Sequence, residues 1–148
     1  MSIARVLLLN VLMVYSLCSS AFWFDSEEPL PADEAFQLVA ELKDAETVRL
    51  SWDIANGYYL YREKFQFVSK TPGTEVKTPD FPSGQIKQDQ ALGAVEIYRD
   101  RLELKLPLRY LQEKPAHITL ELGYRGCADS GFCYMPIKKQ ITLDVSDR

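Results

Sequence analysis

Cys127 and Cys133 are the residues whose type and spacing point most directly to chemistry. They sit in Gly126-Cys127-Ala128-Asp129-Ser130-Gly131-Phe132-Cys133-Tyr134, and two thiols so close in sequence can form, break and exchange a disulfide. The intervening Asp129-Ser130-Gly131 is a turn signal, and alternating apolar residues flank the segment on both sides. The spacing predicts a β-hairpin with a cysteine on each arm, its facing Cβ atoms at the separation a disulfide requires.

Such a pair reads either as a structural staple or as a redox switch, and most cysteine pairs in exported domains are inert cross-links. In the chain-entropy model, closing a ring of about seven residues restrains the unfolded chain by roughly 2 to 2.5 kcal/mol, against more than about 4 kcal/mol for a ring of about a hundred. A tight hairpin is a poor position for a staple and a suitable one for an accessible dithiol that exchanges with other proteins. The C-x5-C spacing alone leaves both readings open, being less specific than the C-x-x-C of thioredoxin-like proteins.

The elements that must position this pair come from one domain. Met1 to Ala21 carries Arg5, an apolar run from Val6 to Tyr15 and the small residues Ser19-Ser20-Ala21, which predicts an export signal cut after Ala21. It is too short and wrongly flanked for a stable membrane span. Cys18 is expected to leave with it, because Leu17 stands where a lipidated cysteine needs a small residue. Residues 22–148 then form one domain long enough for a real core. The 148 residues carry a formal net charge of −4, and removing Arg5 makes the remainder one unit more acidic. No basic patch is present, so nucleic acid is not an expected partner. The mature region holds no membrane span, and an oxidising exported compartment is expected.

Taken in order, Phe22 to Pro31 mixes aromatic, acidic and proline residues and reads as a leader lying on the domain. Ala32 to Lys43 fits a helix or a strand, and the strand is preferred because Asp44-Ala45-Glu46 turns into a clear one: Val48, Leu50, Trp52 and Ile54 alternate with Arg49, Ser51 and Asp53. Asn56-Gly57 makes a tight turn into Tyr58 to Tyr61, and Phe65, Phe67 and Val68 continue the β signal. Thr71 to Gly84 reads as a loop around a short strand near Val76. Val95 to Tyr98 and Leu102 to Leu106 are extended, and after Pro107 the segment to Pro115 is expected to be irregular. Ile118, Leu120, Leu122 and Tyr124 form the first arm of the cysteine hairpin, and Ile141, Leu143 and Val145 end the second. Seven to nine short strands without convincing helix predict an all-β, immunoglobulin-like antiparallel β-sandwich, with Trp52 available for its core.

Three segments carry a resemblance. Gly57-Tyr58-Tyr59-Leu60-Tyr61-Arg62, then Glu96-Ile97-Tyr98-Arg99-Asp100, then Tyr124-Arg125-Gly126 through Cys133-Tyr134 resemble, in that order, the N-terminal periplasmic domain of the thiol:disulfide interchange protein DsbD. The resemblance spans nearly all of the mature chain. It implies an immunoglobulin-like periplasmic domain that takes electrons from a thioredoxin-like donor and passes them to periplasmic disulfide isomerases or cytochrome-maturation thioredoxins. It makes Cys133 the exchanging sulfur and Cys127 the resolving one, with no cofactor. It also implies a cap loop over the disulfide, corresponding to Asp89-Gln90-Ala91-Leu92-Gly93. Ala91 stands where the family has a capping phenylalanine and Gln90 where an acidic residue is common, leaving Leu92 as the candidate shield. A full DsbD continues into a membrane domain and a thioredoxin-like domain, whereas this sequence ends at Arg148, so the electron donor is expected on a separate polypeptide.

No lysine or arginine lies between the cysteines, and Asp129 and Asp89 disfavour a thiolate, so the isolated reduced thiols are expected to react slowly. Tyr59 and Tyr61 read as sheet packing or as the lining of the cysteine site, and Phe132 as turn packing or docking surface. Glu96, Tyr98, Arg99 and Asp100 read as a structural network. The lone His117 begins a strand and, with two thiols, is too little for a metal site. The competing function is an exported immunoglobulin-like binding module whose disulfide only fastens a loop.

Overall fold

Eleven strands and two short helical turns make up residues 28–146, which the computed structural model describes. The expected export signal, Cys18 and the start of the leader lie outside the described residues. In chain order the strands are β1 (Phe36–Asp44), β2 (Thr47–Ile54), β3 (Tyr58–Tyr61), β4 (Gln66–Ser69), β5 (Thr74–Val76) and β6 (Gln85–Asp89). Then come β7 (Gly93–Tyr98), β8 (Arg101–Tyr110), β9 (His117–Tyr124), β10 (Gly126–Ala128) and β11 (Ile137–Asp144). They form three antiparallel sheets ordered β1-β2-β8-β5, β11-β9-β4 and β10-β3-β7-β6.

The first two sheets close over one core. Val48, Leu50, Trp52 and Ile54 of β2, Leu102, Leu104, Leu106 and Leu108 of β8, and Ile118, Leu120, Leu122 and Tyr124 of β9 are all buried in a single cluster. Each set repeats every second residue, so each strand turns one apolar face inward and keeps a polar face wet. Trp52 is fully buried and meets the edges of Phe65 and Tyr124, with ring centroids 5.1 and 5.7 Å away. This is the expected immunoglobulin-like β-sandwich.

Three local expectations are corrected. The strand expected from Ala32 begins only at Phe36: Pro31 opens a one-turn helix α1 (Ala32–Ala35) with Asp33 and Glu34 in its first turn, where acidic residues suit the exposed N–H groups. From Phe36 on, Phe36, Leu38, Ala40 and Leu42 take the more buried side, as the alternation requires. Phe65 lies outside any strand, because a 3₁₀ turn at Arg62–Lys64 carries the chain from β3 in one sheet to β4 in another. Finally, β8 runs through Pro107 to Tyr110 rather than becoming irregular. Pro107 lies opposite Thr47 of β2, where the neighbouring Leu108 N–H donates to the Glu46 carbonyl at 2.7 Å, and on its other side, just past the end of β5, its carbonyl accepts the Lys77 N–H at 2.9 Å, so its missing donor falls where β5 no longer pairs.

The cysteine hairpin also differs in detail. Its arms β9 and β11 pair from Ile137 against Tyr124 to Asp144 against His117. Beyond Tyr124 the chain leaves that sheet, and β10 pairs instead with β3. The end of the leader does lie on the domain: the Leu30 N–H donates to the Tyr58 hydroxyl at 2.9 Å, and the Tyr134 hydroxyl donates to the Leu30 carbonyl.

Because Trp52 fills the centre of both packed faces, Trp52→Ala is expected to cost about 3–5 kcal/mol in urea denaturation. A loss below about 1 kcal/mol would show that the core closes without it.

Candidate thiol-disulfide exchange site

The step of the chain from β9 to β10 builds the site. The Arg125 carbonyl accepts the Tyr61 N–H at 3.1 Å, and Gly126, Cys127 and Ala128 then lie opposite Leu60, Tyr59 and Tyr58. Gly126 permits this approach: a Cβ there would stand 2.4 Å from the Phe36 ring and 2.5 Å from the Tyr59 carbonyl. After Ala128 the chain reverses through Asp129-Ser130-Gly131, with Gly131 at φ +96°, a value L side chains rarely adopt. The Asp129 N–H donates to Gly57 at 2.7 Å, which fastens this turn to the one preceding β3.

Cys127 and Cys133 face each other as an isolated antiparallel pair, joined by a disulfide with Cα atoms 4.0 Å apart. Hydrogen bonds flank the pair rather than join it: Ala128 N–H to the Phe132 carbonyl at 2.7 Å, and Tyr134 N–H to the Gly126 carbonyl at 3.0 Å. That is the non-hydrogen-bonded register, in which facing side chains come closest.

The two sulfur-bearing residues have opposite environments. Cys127 is 0% exposed, whereas Cys133 is exposed. Cys127 belongs to a second small core on the outer face of the β10-β3-β7-β6 sheet, with Tyr59, Tyr61, Val95 and Ile97. These residues alternate with Leu60 and Tyr98, which face the main core, so this sheet is covered on both sides. Its neighbour Tyr134 turns inward, packing edge-on against Phe36 at 5.2 Å and Phe132 at 5.0 Å.

Polar groups ring the disulfide. The Tyr61 hydroxyl donates to Asp89 Oδ2 at 2.7 Å and lies 3.5 Å from Cys127 Sγ. Asp89 Oδ1 accepts the N–H groups of Ala91 and Leu92 at 2.9 and 3.0 Å. The Tyr61 bond, with those of Ala91 and Leu92 behind it, holds the Asp89 carboxyl below the usual aspartate value. Burial, followed by its contacts with Tyr59 and Asp89, pushes the Tyr61 hydroxyl well above the ordinary phenol value. Arg99 grips Asp129 in two bonds of 2.9 and 2.7 Å, which keeps that carboxyl low as well. The Arg99 guanidinium lies 5.0 Å from the Tyr59 ring centre and the Lys87 ammonium 5.1 Å from it.

A groove of about 310 Å³ opens beside the exposed Cys133, lined by Tyr59, Lys87, Asp89, Gln90, Ala91 and Cys133 among others. The family described as "Thiol:disulfide interchange protein DsbD, N-terminal" matches residues 26–145. The chain belongs to the DsbD N-terminal domain family. It is 36% identical over 138 residues to the thiol:disulfide interchange protein DsbD of Klebsiella pneumoniae, covering 91% of this chain and 22% of that protein. The chain thus spans under a quarter of that relative's length. Among solved structures it resembles the reduced DsbD N-terminal domain of Neisseria meningitidis, with TM-score 0.69 and 28% identity over 78% of this chain and 89% of that one. It also resembles a chain from the complex between the DsbD N-terminal and PilB N-terminal domains of Neisseria meningitidis, with TM-score 0.65 and 26% identity over 78% of this chain and 87% of that one.

Within this DsbD-type domain, the structure gathers the residues singled out in the sequence to different degrees. Tyr59 and Tyr61 are buried beside Cys127, and Asp89, Gln90 and Ala91 reach the groove. Leu92 is 51% exposed and does not line it, while Phe132 is 46% exposed at the tip of the turn. Glu96 accepts hydrogen bonds from Arg62 and from the Gly84 N–H, and the Tyr98 hydroxyl donates to Pro82 at 2.8 Å, both away from the sulfurs. His117 is exposed, 3.6 Å from Asp144. Val95, Ile97 and Lys87 joined the site without being singled out. Lys87 sits on β6, a strand too polar to show alternating hydrophobicity.

Asp89 gives a pH signature. Its native carboxyl lies below the ordinary value near 3.8, so its grip on the Ala91 and Leu92 N–H groups is complete above that value and is lost as pH falls through the lower native one. Hydrogen exchange at these two amides, corrected for intrinsic rate, should show protection at pH 6 that declines below about pH 4. In Asp89→Asn the decline should be absent.

Proposed function

We propose that this domain is a periplasmic thiol-disulfide carrier. It takes an electron pair from a thioredoxin-like donor and passes it to a disulfide isomerase or a cytochrome-maturation thioredoxin. The observation that carries the reading is the asymmetry of the pair: Cys133 is exposed and Cys127 fully buried. Exchange requires a thiolate to approach one sulfur along the line of the S–S bond. Only Cys133 offers that approach, so Cys127 is the leaving sulfur. A staple has no need of such a difference. The assembly of the Neisseria DsbD N-terminal domain with a PilB N-terminal domain supports a protein partner for this fold.

In the forward step a donor thiolate attacks Cys133 Sγ. The Cys127–Cys133 bond breaks, its electron pair goes to Cys127 Sγ, and that sulfur takes up a proton. The donor's second thiol, losing its proton, then attacks the donor sulfur of the mixed disulfide. The donor leaves oxidised, and Cys133 departs as a thiolate. Delivery to an acceptor disulfide is the reverse: Cys133 attacks, Cys127 resolves, and the acceptor leaves as a dithiol. The buried Cys127 stays against its own partner sulfur throughout, so resolution is intramolecular and fast.

Cys127→Ala should therefore trap thioredoxin-like proteins of a periplasmic extract as disulfide adducts through Cys133, visible on non-reducing gels and released by dithiothreitol. Cys133→Ala should trap none, because its remaining thiol is out of reach. If neither variant forms adducts while the wild-type disulfide also resists a reduced thioredoxin-like protein, the carrier reading is wrong and the bridge is structural.

A further inference from the structure

Asp89, Asp129 and Lys87 line the groove with Cys133, and Arg99 holds Asp129 from beside it, but these charges are not equally engaged. Asp89 accepts three hydrogen bonds, from Tyr61, Ala91 and Leu92. Asp129 is matched by both terminal nitrogens of Arg99. Those bonds lower the capacity of either carboxylate to repel a second negative charge nearby, since each is already compensated by donors.

Lys87 is different. Among the described residues it forms no ion pair within 4.0 Å; its ammonium rests 5.1 Å from the Tyr59 ring centre. Its position follows from register. Lys87 lies opposite Val95 in the β6–β7 ladder, so it shares the face that carries Val95, Ile97 and Cys127 rather than that of Tyr98. Tyr59, on which it rests, lies directly opposite Cys127. Lys87 and Cys133 line the same groove. Its charge adds to the lowering of both the Asp89 and the Asp129 carboxyls, while no ion pair within 4.0 Å joins it to either.

We propose that Lys87 supplies the unmatched positive charge that favours a thiolate at Cys133. The inference rests on the carrier reading given above and concerns how that sulfur is activated. In the reduced domain the charge stabilises the Cys133 thiolate relative to the thiol; in the oxidised domain it draws the donor's thiolate into the groove. The groups that face this charge are Asp89 on its own strand, Asp129 in the cysteine turn, Arg99 after β7, and Tyr59 and Tyr61 on β3. Lys87 is half-buried, and the Tyr59 ring lies 5.1 Å from its ammonium, on the side of the groove that Cys133 shares. Lys87 is thus a positioning residue for charge, not a participant in bond exchange.

The test uses the reduced protein and two alkylating reagents, neutral iodoacetamide and anionic iodoacetate, with modification of Cys133 followed by mass spectrometry across pH 5 to 10. Lys87→Gln should move the alkylation profile to higher pH and slow iodoacetamide at pH 7 by about three- to tenfold. Lys87→Glu should slow it further, and Lys87→Arg should restore the wild-type profile, which a merely structural lysine would not require. In the wild type alone, raising salt to about 0.5 M should slow iodoacetate relative to iodoacetamide, because the local positive potential is screened. Superimposed pH profiles for wild type, Lys87→Gln and Lys87→Glu, or a reagent ratio indifferent to salt, would overturn the proposal. These readouts need no protein partner. A domain that traps no partner and whose disulfide resists a reduced thioredoxin-like protein, yet shows the Lys87 shift, refutes the carrier reading alone; one that traps partners with an unchanged profile refutes only the role of Lys87.

Discussion

The β10–β3 pairing is the constraint on which the site depends. A strand of three residues leaves the sheet of its own hairpin and takes up the edge of another, placing Cys127 opposite Tyr59 and under the cover of Tyr61, Val95 and Ile97. Without that exchange of sheets, the two cysteines would sit on a free hairpin tip with equal exposure, and neither would be marked out as leaving sulfur. The close passage is possible because residue 126 is glycine, set against the Phe36 ring and the Tyr59 carbonyl. Burial of one sulfur and exposure of the other are thus consequences of backbone pairing rather than of local sequence.

The second consequence is a sheet covered on both faces. Leu60 and Tyr98 face the main core while Tyr59, Tyr61, Val95 and Ile97 build a smaller one outside it. Small outer clusters of this kind do not add much to a fold already closed by Trp52 and the leucines of β8 and β9, but they fix side-chain positions. Here the outer cluster orients the Tyr61 hydroxyl toward Asp89 and presents the Tyr59 ring to Arg99 and Lys87. Rigid aromatic surfaces thereby set where charge lies around the disulfide. The loop from Asp89 to Gly93 is held at one end by the Asp89 carboxylate, yet Ala91 brings only a methyl group to the groove, Leu92 does not line it, and Cys133 stays exposed.

Much of this was legible in the amino-acid sequence because it rests on short-range rules. Period-two alternation in β2, β8 and β9 reports the buried face of each strand, the Asn56-Gly57 and Asp129-Ser130-Gly131 signals report turns, and the three matched segments resemble one family in order. Two thiols with a turn between them announce a disulfide. What was misplaced also has local causes. Ala32 to Ala35 fits both periods, and only the position of Pro31 starts a helical turn there. Phe65 looks like a strand residue because it is aromatic, though it serves the core from a corner between sheets. Pro107 looks like a break, but β2 still pairs with it at Thr47 and its missing donor falls beyond the end of β5.

The sequence by itself determined that two thiols flank a tight turn able to close a disulfide, that most of the chain is strand, and to which family the chain is similar, since these depend on residue type, spacing and order. Only the tertiary structure decided which sulfur is exposed and which charges face it. Those properties arise between segments far apart in the chain: Lys87 and Arg99 reach Tyr59 from β6 and the end of β7, and Cys127 is covered by residues of β3 and β7. Burial and electrostatic potential are sums over neighbours in space, and no spacing along the chain specifies which neighbours those are.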